Sequence, residues 1–102
     1  MSAITGNLFA DRSRTLLSAN AVTITSQNSD GANPGRNCLL IANPSATANI
    51  AVNLVGTAAL NTAGSVTLGP GGTMLFDVAV PRGPISAITD TNGSPITVYE
   101  MS

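Results

Sequence analysis

The chain has 102 residues and a formal net charge of −1, with 43% hydrophobic but only 9% charged residues. That length fits one domain and leaves no room for a second independent core. With no His and no Lys, and with one cysteine, the usual bases of nucleophilic catalysis, internal disulfides and most transition-metal sites are excluded.

Residues 1–20 read differently from the rest. Leu8, Phe9, Leu16 and Leu17 flank a charged centre, Asp11-Arg12-Ser13-Arg14. The segment suits an N-terminal arm that docks on a neighbour, a first edge strand, or a short helical turn. Leu8, Phe9, Arg12, Arg14 and Leu16 are the candidate partner-binding residues, because apolar anchors beside arginines suit interface contacts. The start of the chain has no basic stretch followed by an apolar one, so no signal peptide is expected. No apolar run approaches the ~20 residues that span a bilayer. A soluble protein made in a reducing cytoplasm is expected.

From Ala21 to Ser102 the pattern is short runs of β-branched residues punctuated by Gly, Pro and Asn. Ala21–Ser26 alternates apolar and hydroxyl residues, as a half-buried strand does. Asn28–Gly35 reads as a loop through Asp30-Gly31 and Asn33-Pro34-Gly35. Cys38–Ala42 is a continuous apolar run suited to a central strand, with Cys38 as a small buried hydrophobe. Asn43-Pro44-Ser45 stops it, since proline cannot donate to a ladder.

Asn49–Leu54 alternates again, and a small-residue stretch, Gly56–Gly64, leads to Ser65–Leu68. Gly69-Pro70-Gly71-Gly72 predicts a hairpin turn into a strand over Thr73–Val80. Pro81–Pro84 turns the chain into Ile85–Thr89. Asn92-Gly93 then predicts a type I′ hairpin joining that strand to Ile96–Glu100. Seven to eight strands at about ten-residue spacing predict an all-β fold, a β-sandwich or jelly-roll-like barrel of antiparallel strands over 21–102. Phe9 and Phe76 are expected where the core needs most volume.

The five acids are scattered, and Asp30 and Asp90 read as turn formers. A calcium site at Asp30 and Asn33 has weak support, and no cofactor is expected. Gly69–Gly72 lacks the lysine and the helix of a phosphate loop. Four arginines and three aromatics do not make a nucleic-acid groove. Neither nucleic acid nor membrane is therefore expected as a partner. A polar surface with few charges suits a protein packed against other proteins.

Arg36-Asn37-Cys38-Leu39-Leu40-Ile41-Ala42-Asn43-Pro44-Ser45 resembles a motif of small virion proteins of tailed phages. Ser65–Gly72, Phe76-Asp77, Val80-Pro81, Ile85–Ile88 and Ile96–Glu100 continue the likeness over residues 36–100. The resemblance implies a non-enzymatic decoration or cement protein on a capsid surface. It further implies the major capsid protein as partner and a dimeric or trimeric homo-oligomer. A tail, neck or head-fibre module is the alternative, with the Asn28–Asn33 loop engaging host glycans. A carbohydrate-active enzyme using two of Asp77, Asp90 and Glu100 is the third reading.

Overall fold

The computed structural model describes residues 9–25 and 38–101, and every regular element among them is a strand. In chain order these are β1 (Phe9–Asp11), β2 (Arg14–Leu16), β3 (Val22–Thr25), β4 (Cys38–Ala42) and β5 (Ile50–Asn53). They continue as β6 (Val66–Leu68), β7 (Thr73–Phe76), β8 (Ile85–Thr89) and β9 (Ser94–Met101). No helix of the described residues is long and apolar enough to cross a membrane.

In the first sheet β1 and β2 lie end to end along one edge of β9, followed by β4 and then β7. The second sheet has the order β3–β8–β5–β6. Every pairing is antiparallel, and β2 pairs β9, β3 pairs β8, β4 pairs β7, and β5 pairs β6. A two-stranded ribbon bent at residues 54–65 and rolled up so that successive pairs alternate between sheets has this connectivity. It is the jelly roll, and the β4–β9 and β5–β8 pairings close its two sheets. The all-β sandwich expected from strand spacing is the fold that forms.

Period-two alternation sets the core. In β4, Leu39 and Ile41 point inward and are fully buried, and Ile96 and Val98 of β9 do the same. Across from them lie Ile50 and Val52 of β5 with Ile85 and Ala87 of β8. Leu16, Ile24 and Leu68 complete a core of branched aliphatics. Phe76 packs only partly buried on edge strand β7, so the core volume is not filled by it as expected. Cys38 is half-buried rather than buried, because the parity that sends Leu39 inward sends its neighbours outward.

The roll explains three departures from the local reading. β8 and β9 lie in different sheets, so Asn92-Gly93 is not a hairpin. Only Gly93 has positive φ (86°) there and Asn92 does not, which excludes a type I′ turn. Gly69–Gly72 likewise carries the chain from the second sheet to the first and not along one ladder. β7 ends at Phe76, four residues before the expected end, since the chain must leave the first sheet to reach β8.

Four connections meet at one end of the sandwich: residues 17–21, 43–49, 69–72 and 90–93. Hydrogen bonds link them in series. Ser18 N–H donates to Asn92 Oδ1 (3.1 Å), Asn49 Nδ2 donates to Asp90 Oδ2 (3.0 Å), and Asn43 joins the remaining two. Its Nδ2 donates to the carbonyls of Ala48, Leu68 and Gly69 at 2.8, 3.0 and 3.1 Å. Its Oδ1 accepts Ser45 N–H (3.0 Å), and its backbone bonds Gly71 and Gly72. The residue is 1% exposed, so no water substitutes for these partners easily. Asn43→Ala is expected to lower the unfolding free energy by about 2–4 kcal/mol, because it strands several buried polar groups. Urea denaturation measures it, and a change under about 0.5 kcal/mol would contradict the role assigned to Asn43.

Candidate interaction surface

The two sheets differ on their outer faces. In the second, register puts Thr23, Ser86, Asn53, Ala51, Ile88 and Thr67 outward. Ala51 is nonetheless 0% exposed, and residues 54–64 are bonded back across this face at Ser86. Asn53 Oδ1 accepts the N–H groups of Val55 (2.9 Å) and Gly56 (2.7 Å), turning the chain as it leaves β5. Ser86 Oγ then accepts Ala58 N–H (2.6 Å) and donates to Gly56 O (2.8 Å), latching the loop down with Ala58 buried beneath it.

The first sheet has no such cover among the described residues. Its outer rows are set by register: Pro95 beside Thr15; Thr97, Ala42 and Thr73; then Asp11, Tyr99, Leu40 and Leu75. Cys38 opens a further row at the strand position opposite Met101. Leu75 is 60% exposed and Tyr99 36%. Within these rows the only charge is Asp11, at the margin. A four-stranded face made of Tyr, Leu, Ala, Thr and Cys is costly to leave in water and cheap to cover with protein.

The sequence-based candidates fall into different places. Leu8 lies outside the described residues, as do Asp30, Asn33 and the Asn28–Asn33 loop. Phe9 occupies the strand position opposite Met101. Arg12 Nε donates to Glu100 Oε1 (2.9 Å) with the arginine side chain 57% exposed, an ion pair worth about 0–1 kcal/mol. Arg14 Nη1 donates to Thr23 O (3.2 Å), fastening the first sheet to the margin of the second. Leu16 is 0% exposed in the core and is withdrawn as a partner contact, because its inward register spends it on packing. Residues 9–16 are thus strands of the sandwich itself. The outer rows around Tyr99 and Leu40 were missed, although the alternation of Cys38–Ala42 and Ile96–Glu100 carries the signal.

Asp90 and Glu100 do not converge. Asp90 sits at the tied end and Glu100 near the other, six strand steps or about 20 Å beyond Ser94. Asp90 accepts Asn49 N–H and Nδ2 (both 3.0 Å) and the Thr91 hydroxyl (3.0 Å). These bonds, the Asn49 backbone N–H first, hold its pKa below the usual aspartate value. Asp11 is lowered as well, by the side chain and then the backbone N–H of Ser13. Among the described residues no three His, Cys, Asp or Glu gather as a metal site. An open trough of about 650 Å³ lies between Leu54 and residues 76–82, with Asp77 and Arg82 on its rim. No protein-family model, curated protein or solved structure matches the chain.

Two outcomes test this account. Since the folded pKa of Asp90 is depressed, its stabilisation is complete above the unfolded carboxylate pKa and lost as pH falls through the folded value. Asp90→Asn is therefore expected to melt below the wild type at pH 7, with the gap closing as the pH falls through and below the ordinary aspartate range. Thermal scans across pH decide it, and a pH-independent gap contradicts the assignment. Ser86→Ala is expected to speed hydrogen exchange at the Ala58 amide by about tenfold while leaving the Ile41 and Val98 amides unchanged, as local release of a loop requires.

Proposed function

We propose that this protein is a non-enzymatic virion structural protein that coats the outer surface of a phage capsid by binding its major capsid protein. The observation that carries the reading is the first-sheet face, uncharged from Tyr99 through Leu40 to Leu75 and with no loop bonded across it among the described residues, on a molecule whose 54–64 loop is latched over part of its other face. Such a face suits burial against another protein. Many copies on one shell multiply modest contacts into durable attachment. The jelly roll recurs in capsid and lectin domains, a likeness of architecture that supports the reading without carrying it. The motifs across residues 36–100 that resemble small virion proteins point the same way. Of the described acids, Asp11, Asp90 and Glu100 each hold a local contact, which favours a binding role over catalysis.

The described part of the expected docking arm, Phe9–Asp11 and Arg14–Leu16, belongs to the sandwich itself. Deleting residues 2–18 would remove β1, β2 and the buried Leu16, and would test folding rather than docking. The informative variant is Thr97→Arg, which places a charge amid the outer rows without touching the core. It is expected to keep the wild-type melting temperature within about 3 °C and to lose occupancy on purified particles. Mass spectrometry of wild-type virions is expected to give a copy number comparable with that of the major capsid protein. A few copies per particle would move the protein to the tail or neck. Unchanged occupancy of Thr97→Arg would overturn the docking face.

A further inference from the structure

A sandwich of open sheets has four edges, and free edges invite other strands unless something blunts them. Three are blunted here. The β1/β2 edge is broken into three-residue pieces and carries Asp11, Arg12 and Arg14. The β3 edge is disrupted by a register shift between Thr23 and Thr25, and Arg14 Nη1 occupies the Thr23 carbonyl. The β6 edge is three residues long. The fourth edge, β7, has none of these devices. Thr73-Met74-Leu75-Phe76 pairs with β4 in unbroken register and contains no charge and no proline.

The direction of its free groups follows from the ladder. Asn43 N–H donates to Gly72 O (2.8 Å), so that pair is a hydrogen-bonded one. Antiparallel alternation then aims Met74 and Phe76 at β4 and leaves the N–H and C=O of Thr73 and Leu75 pointing away from it. Among the described residues β7 is the terminal strand, and no hydrogen bond engages those groups.

We propose that β7 is a homodimerisation edge, which pairs antiparallel with β7 of a second copy about a two-fold axis at Leu75. This register places Leu75 opposite Leu75 of the second copy, with each offering its outward N–H and C=O. Thr73 falls opposite Asp77, whose first outward groups are in phase. Met74 meets Phe76 on the inner face, which continues the core side of both sandwiches. The two Asp77 residues lie four strand steps apart, roughly 13 Å, beyond the screening length at physiological salt. No like charges meet, as an isologous contact requires. The outer row Tyr99–Leu40–Leu75 then runs on into its symmetry mate, and the uncharged face doubles in width. The four-residue edge is smaller than a standard interface, so the dimer constant is expected on the order of 10–100 μM. The inference holds whether or not the protein coats a capsid.

Sedimentation equilibrium of the full chain up to about 1 mM is the test. The expected result is a reversible dimer, twice the 10.2 kDa chain mass. Leu75→Lys puts two ammonium groups face to face and is expected to weaken it at least about a hundredfold, with an unchanged far-ultraviolet circular dichroism spectrum. A monomer at every concentration, a trimer, or a dimer indifferent to Leu75→Lys would overturn the proposal. Should Leu75→Lys fail to fold, Leu75→Cys in a Cys38→Ala background decides the matter. A disulfide-linked dimer on mild oxidation, with no linkage from a Thr15→Cys control in the same background, supports the edge. Equal linkage in both, or none in either, overturns it.

Discussion

Rolling a ribbon into two sheets forces the chain to cross between them repeatedly, and every crossing takes backbone groups out of the ladders. At one end of this sandwich four crossings crowd together, and the carboxamide of Asn43 answers for several of the groups left over. It donates to carbonyls from the 43–49 turn and from the end of β6, while its backbone bonds the turn that follows. A carboxamide is suited to this because it carries donors and an acceptor on one rigid plane. Aspartate would present only acceptors to three carbonyls. From this point the bonding passes through Asn49 and Asp90 to Asn92 and Ser18, so that every connection at this end is tied to its neighbour. The position of β7 depends on it directly, since Asn43 fixes the first bonded pair of the β4–β7 ladder.

That tied end leaves the variable chemistry to the sheet faces and the opposite end. The second sheet has its 54–64 loop latched over part of its outer face through Ser86 and Asn53, and the first has no such loop among the described residues. The contrast is chemical as well as geometric. The outer rows of the second sheet hold buried Ala51, half-buried Ile88 and small polar groups. On the other side stand exposed Tyr99 and Leu75 with half-buried Leu40 between them, a surface suited to a larger partner. The composition fits this division: 9% charge is low for a protein that must hold itself apart from its neighbours in solution.

Strand positions were legible in the residues, because alternation and the Gly, Pro and Asn punctuation depend on a few neighbours at a time. Cys38–Ala42 and Ile85–Thr89 have the expected bounds. Pairing was not legible, because it depends on which sheet each strand joins. Asn92-Gly93 has the sequence of a tight hairpin, yet its strands belong to opposite sheets and Asn92 keeps a negative φ. Leu16 looked like an exposed anchor among charged neighbours, and the two-residue period of β2 turned it into the core instead. Asn43 read only as part of a strand stop. Its role rests on Leu68 and Gly69, 25 and 26 residues further along, which no local pattern reveals. The uncovered face was within reach, since Leu40, Ala42, Thr97 and Tyr99 sit at alternate positions of two recognised strands.

The charged residues make the last link between fold and function. A surface charge usually keeps molecules apart, but here most of the few charges hold chain geometry. Asp11 closes onto Ser13, Arg12 pairs with Glu100, Arg14 spans the two sheets, and Asp90 fastens the 43–49 and 90–93 connections. All these groups lie along one margin or at the tied end. None stands in the rows running from Tyr99 to Leu75, nor in β7. Among the described residues, charge is thus absent from the rows between Tyr99 and Leu75 and from β7, while Asp77 and Arg82 line the open trough beside Leu54. That distribution is consistent with the assembled state proposed above.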